Sequence, residues 1–175
     1  NFIRPSVGAW VMYGLGAENQ NLPGFVAIAP SVGNGGPRNY GAAFLPPKFQ
    51  GTKIGSPDDS ALTIDSLTRA DLSPSQQATQ YELLQQLNSS QLARRLAQAQ
   101  GHNQELEAAL ESHALAWRMQ QVAPEVLDLT KESAATLTRY GIDQPHTRPY
   151  GERCLMARRM REAGVRFIQV NYGDN

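Results

Sequence analysis

The chain has 175 residues, enough for one domain, with 16 basic and 16 acidic side chains and a formal net charge of zero. A balanced chain has no strong field to draw in nucleic acid or an acidic membrane surface. Its single cysteine, Cys154, excludes an internal disulfide, and no apolar run approaches the roughly 18 residues of a membrane span.

Arg4-Pro5-Ser6 reads as the opening of a helix whose apolar residues, Val7, Trp10, Val11 and Leu15, recur at helical spacing. Gly14 and Gly16 supply its stop, because glycine tolerates the left-handed conformation at a helix end. After the polar run Glu18–Asn21, the segment Phe25–Ala29 is short, apolar and closed by Pro30. It lacks the alternation of a half-exposed strand, as expected for a strand buried on both faces in a parallel sheet. A buried helical turn also fits, but Phe25, Val26 and Ile28 favour strand.

Ser31–Gly55 is loop-like, since glycines and prolines break every periodic pattern there. Gly33-Asn34-Gly35-Gly36 matches neither nucleotide-binding fingerprint. It does leave the carboxyl end of the predicted strand, where open α/β sheets bind ligands. Asn34 and Arg38 are therefore candidate substrate-binding residues, and Phe44, Leu45 and Phe49 are expected to anchor the loop. Ser56–Leu72 is a second connection, with a turn cluster at Pro57-Asp58-Asp59-Ser60 and a packed or extended segment at Leu62, Ile64 and Leu67.

Ser73 is suited to cap a helix with Pro74 at its first position. Tyr81, Leu84, Leu87 and Leu92 form its apolar stripe, and Asn88-Ser89-Ser90 weakens the middle. A second helix starts near Asn103, with Leu106, Leu110, His113 or Ala114, and Trp117 on one face and Pro124 as its end. The pair reads as an antiparallel hairpin in which Leu110 and Trp117 are core. His113 beside this stripe reads as a partly buried histidine with a partner, whereas His102 and His146 fall in linkers. Val126, Leu127 and Leu129 pack the next connection, and Thr130 is placed to cap a short helix ending at Gly141.

The last helix begins at Thr147 or Pro149. Its apolar line is Tyr150, Cys154, Ala157 and Met160, widened by Leu155 and Met156. Arg158, Arg159 and Arg161 crowd its C-terminal half, where cations favour the helix dipole. Cys154 falls on a packing face and reads as a buried thiol. Gly164 then leads into a strand at Val165–Val170, completing the αβ half of a crossover unit. Residues 1–30 and 147–172 are thus two helix–strand units, separated by a loop-rich connection over 31–72 and a helical insertion over 73–140. The two strands are expected to lie parallel in one sheet.

Spacing alone gives no complete catalytic set: no nucleophile elbow with a Ser-His-Asp order, no HExxH, no paired cysteines and no Walker loop. The blocks RPSVGAWVMYGLGAENQNLPGFVAIAP, Phe44-Leu45-Pro46 with Gln50-Gly51-Thr52, APEVLDLTKES and RRMREAGVRFIQVNYGD resemble, in order, the bacterial family called domain of unknown function 1501. That family is sulfatase-like and belongs to the alkaline-phosphatase superfamily. The resemblance implies a central segment of one incomplete α/β domain, with part of a parallel sheet, flanking helices and an inserted helical hairpin. It implies a metal-dependent sulfatase-like or phosphatase-like hydrolase acting on a small anionic ester, with divalent metal ions in the full-length protein. The nucleophile and metal ligands would lie outside this segment, so no catalytic or metal-ligating residue is assigned within it, and none of the metal is expected to bind this segment alone. Its remaining partner would be the rest of its own domain, and an exported location, periplasm or envelope, is implied. Tyr172-Gly173-Asp174 resembles the approach to a metal motif, which makes Asp174 a third substrate-side candidate. The alternative is a non-catalytic secreted binding or scaffold protein that retains the fold.

Overall fold

A computed structural model describes residues 3–31, 33, 35–57, 73–97 and 104–172. The order of elements is α1 (Val7–Leu15), β1 (Phe25–Ile28), β2 (Thr52–Ile54), α2 (Pro74–Ala97), α3 (Gln104–Leu127), α4 (Ala134–Arg139), α5 (Arg148–Glu162) and β3 (Phe167–Val170). Short 3-10 turns lie at Gly36–Asn39, Pro47–Phe49 and Leu129–Lys131.

The three strands form one parallel sheet in the order β2-β1-β3. Phe25 pairs with Phe167 and Ile28 with Val170, so the two expected strands are neighbours in the same sheet. All four residues of β1 are buried, and they divide between two faces. Val26 and Ile28 pack with Ile54, Ala123 of α3, and Met156 and Met160 of α5. Phe25 and Ala27 pack with Met12 of α1, against Phe49 and Phe167. Helices cover both faces, which is why β1 shows an unbroken apolar run.

β2 corrects the reading of Ser31–Gly55 as loop throughout. Three residues, one of them Lys53, carry no periodic signal of their own. The strand exists because β1 offers it a ladder, with Val26 opposite Thr52 and Ile28 opposite Ile54. Within the same segment Leu45 is buried and Phe49 partly so, but Phe44 is exposed, with its ring against Trp10.

α1 has the expected ends. Ser6 Oγ accepts from the Ala9 N–H at 3.3 Å, and Gly16 closes the helix at φ 68°. Its inner face is a correction. Gly8, Ala9 and Met12 are buried, while Val7, Trp10 and Leu15 are exposed. A Cβ on Gly8 would overlap the Phe25 ring, so the helix approaches the sheet on its smallest residues. Bulk, which guides a reading of periodicity, is on the other side.

In α2 the predicted cap holds: Ser73 Oγ accepts from the Gln76 N–H, and Gln76 Oε1 accepts from the Ser73 N–H. The helix runs unbroken through Asn88-Ser89-Ser90, whose two serine hydroxyls donate to the Gln86 carbonyl. Its stripe differs from expectation, since Leu84 and Leu87 are exposed and Tyr81 turns inward to stack on Trp117 with centroids 4.9 Å apart. Leu110 and Trp117 are half-buried, not core.

α3 has a second apolar side that the hairpin reading missed. Met119 and Ala123 are buried, and Val122 and Val126 pack on the same core. Pro124 is inside this helix and does not end it. The helix continues to Leu127 because Ala123 and Val126 are held by the core and because Arg159 binds its end. Arg159 Nε donates to the Val126 carbonyl and Nη2 to the Glu125 carbonyl, both at 2.8 Å. His113 is exposed, contrary to expectation, although Leu110 and Trp117 on the same side of the helix are half-buried.

Asp128 and Ser133, not Thr130, cap the turn at Leu129–Lys131 and α4. Gly141 (φ 67°) and Gly164 (φ 93°) close helices as expected. In α5 the buried face is Gly151, Arg153, Leu155, Met156 and Met160, while Tyr150 is exposed and Cys154 half-buried. The arginines are ion-paired rather than simply solvated. Glu132 receives Arg159 Nη1 at 2.6 Å and Arg158 Nη2 at 3.2 Å, and Arg161 reaches Glu18 at 3.0 Å.

The hydrogen bond from Arg159 holds the Glu132 carboxyl below its ordinary value of 4.5, against the opposing effect of burial. A carboxylate with a lowered folded pKa stabilises the fold at neutral pH, and that contribution disappears as pH falls through the folded value. Glu132→Gln is expected to be less stable than the parent at pH 7. The difference should close as pH falls from 4.5 through the lowered value, measured by urea midpoints across that range. A constant difference would show that Glu132 acts through shape and not charge.

Among the described residues, no helix is long and apolar enough to cross a membrane. The segment with Asp58, Asp59, Leu62, Ile64 and Leu67 lies outside the described residues, as do His102 and the side chains of Leu92 and Leu106.

Candidate functional site

The chain leaves β1 for β2 on one side and later returns to β3 on the other. Open α/β sheets bind ligands beyond the carboxyl ends of strands at such reversals. Here that edge consists of Ala29–Ser31 after β1, Gly55–Pro57 after β2, and Asn171 and Tyr172 after β3.

Backbone geometry marks the same place. Ala29 is buried and has φ 46°, a left-handed conformation that non-glycine residues rarely adopt. Its N–H donates to the Ile54 carbonyl at 2.8 Å, so the ladder between β1 and β2 fixes the turn. On the other side, both the backbone N–H and the side-chain Nδ2 of Asn171 donate to the Ile28 carbonyl at 3.1 Å. Gln169 Nε2 in turn donates to Asn171 Oδ1 at 3.0 Å.

Arg153 ties the edge together. It is only 5% exposed, near the start of α5. Nη1 donates to the Asn171 carbonyl at 3.0 Å and Nη2 to the Pro57 carbonyl at 2.9 Å. One planar guanidinium thus spans the two outer strand ends, a task that suits its fixed fork. Its Cζ also lies 5.7 Å from the Tyr172 ring centroid, and Tyr150 meets Tyr172 edge-on at 5.0 Å. A hydrogen bond with Cys154 raises the Tyr150 hydroxyl above its ordinary pKa. The sequence reading missed Arg153. One signal was present: Arg153 lies three and seven residues before Met156 and Met160, on a face that a helix should bury.

Of the predicted substrate-side residues, Arg38 is exposed in the 3-10 turn that follows β1. No described contact joins it to Arg153. Asn34 and Asp174 lie outside the described residues. Lys48 is exposed, 5.4 Å from the Phe49 ring centroid.

Among the described residues, no group of three or more His, Cys, Asp or Glu could hold a metal ion. The described edge offers peptide carbonyls, amides, hydroxyls and a guanidinium. The described part of this edge presents no carboxylate or imidazole of the kind that dominates divalent-cation sites.

A parallel sheet covered by helices on both faces, with its carboxyl ends joined by a buried arginine, defines a mixed α/β protein. The chain matches the family described as Protein of unknown function (DUF1501) over residues 1–174, and it belongs to that family. No curated protein and no solved structure matches it.

Proposed function

We propose that the chain is part of a sulfatase-like or phosphatase-like ester hydrolase and that the carboxyl edge of its sheet faces a small anionic ester. The observation that supports this is that Arg153 joins the chain just after β2 to the chain just after β3, on the edge where β1 ends in the left-handed turn at Ala29. The resemblance of its sequence blocks supplies the reaction type. Arg153 uses both Nη groups on carbonyls, so it is a positioning residue that sets the spacing of the strand ends. Asn34 and Arg38, on the loop after β1, and Asp174, after β3, are the residues proposed to meet substrate. The resemblance implies divalent metal ions in the full-length protein, and the residues described at this edge do not supply their ligands. An exported location belongs to the same proposal.

The test compares this chain with the full-length protein. Each is loaded with zinc, calcium or manganese and assayed on aryl sulfate and aryl phosphate. The full-length protein is expected to hydrolyse one ester class, and this chain neither. In the full-length protein Asp174→Asn is expected to lower kcat/KM by on the order of tenfold to 100-fold, the usual effect of a residue supporting a site. A full-length protein that binds no metal and cleaves no ester would establish the binding or scaffold reading instead.

A further inference from the structure

At the opposite end of the strands lies a cavity of about 620 Å³, bordered by Gly24 and Phe25 at the start of β1 and by Gly51 and Thr52 at the start of β2. Its size falls within the ~300–1,000 Å³ range of small-molecule sites. α3 forms its outer wall. Glu111, Leu115 and Arg118 follow one another at helical spacing and line it together. Met12 and Phe25, 5% and 1% exposed, give it an apolar floor.

The rim carries its charges. Lys48 comes from the turn before β2 and Arg118 from α3, with Glu111 about two helical turns before Arg118. Arg118 Nε donates to the Gln20 carbonyl at 2.7 Å, which holds the guanidinium plane. Among the described residues its Nη groups have no other partner. Two cations and one carboxylate leave one net positive charge over an apolar floor. That pattern favours a single anionic group attached to an apolar body. It disfavours a polyphosphate, whose further charges would face Glu111 and lose hydration against Met12 and Phe25.

We propose that this cavity binds a monoanionic amphiphile, an organic carboxylate or sulfonate carrying a ring-sized apolar body. The anion sits on Arg118 and Lys48, and the body lies on Met12, Phe25 and Leu115. The proposal does not rest on ester hydrolysis, because the cavity is at the amino ends of the strands and the candidate edge at their carboxyl ends.

The test is fluorescence titration of the purified chain with 8-anilinonaphthalene-1-sulfonate and with its uncharged analogue N-phenyl-1-naphthylamine. One saturable sulfonate site is expected. Arg118→Glu should weaken the sulfonate by about tenfold or more, as loss of a charge-assisted pair predicts, and the neutral dye by less than about twofold. Lys48→Glu, at an exposed position of the turn Pro47–Phe49, gives the same comparison should Arg118→Glu fail to fold. Leu115→Trp should block both dyes, with folding checked by circular dichroism. Benzoate should displace the sulfonate, and inorganic phosphate at equal concentration should not. The proposal is overturned by non-saturable binding, by equal weakening of both dyes in the charge variants, by unchanged binding in a folded Leu115→Trp, or by displacement with phosphate alone.

Discussion

Phe25→Ala is expected to cost about 3–5 kcal/mol of folding stability, the usual loss for a buried aromatic cut to alanine. Phe25 is 1% exposed at the first position of the central strand. Its ring meets Phe167 edge-on at 5.2 Å. Two glycines face it closely: a Cβ on Gly51 would come within 2.7 Å of the ring, and one on Gly8 would overlap it. Collapse around a missing ring would need α1 and the segment leading into β2 to move together, so the cavity would stay largely open. The same geometry predicts coupling. Gly8→Ala should itself cost about 1–3 kcal/mol by overpacking. Combined with Phe25→Leu it should cost less than the sum of the two singles, by more than the ~0.5 kcal/mol seen for independent sites. Urea unfolding of the four proteins measures this. Strict additivity would mean that α1 does not lie on the ring as described.

Arg153→Met should cost about 3 kcal/mol, because it leaves the Pro57 and Asn171 carbonyls without their buried donor at about 1–3 kcal/mol each. Methionine keeps most of the side chain's apolar length, so the loss reports the bonds and not a cavity. Arg153→Lys should recover little of it, since one ammonium cannot reproduce a planar fork aimed at two carbonyls. A loss below about 1 kcal/mol in urea unfolding would show that water replaces the guanidinium and that the strand ends do not depend on it. Full recovery by lysine would show that charge alone matters.

Several helix ends and the two longer strands were legible from sequence because each depends on local chemistry, and their common sheet because a helix leading into a strand implies a parallel crossover. Ser6, Ser73 and Gly16 cap through bonds that span only a few residues, and Phe25–Ile28 needs only to be apolar to be recognised as a strand buried on both faces. Pro124 was misread because proline predicts a helix end by local geometry. The bonds that carry α3 past it come from Arg159, 33 and 34 residues away in sequence. The candidate edge was legible only in outline. Its place after β1 follows from topology, but its central residue does not.

By itself, then, the sequence determined the balanced charge, the absence of an internal disulfide, the capped helices and the apolar strands, since all of these are properties of composition or of near neighbours. Only the tertiary structure decided which face of α1 is inside, that Thr52–Ile54 is a strand, and that Arg153 closes the carboxyl edge. Each of these depends on a partner far along the chain. Gly8 and Ala9 are inside because a ring from β1 lies against them, β2 exists because β1 pairs with it, and Arg153 is buried because two distant carbonyls, 18 and 96 residues away, satisfy its charge-bearing donors.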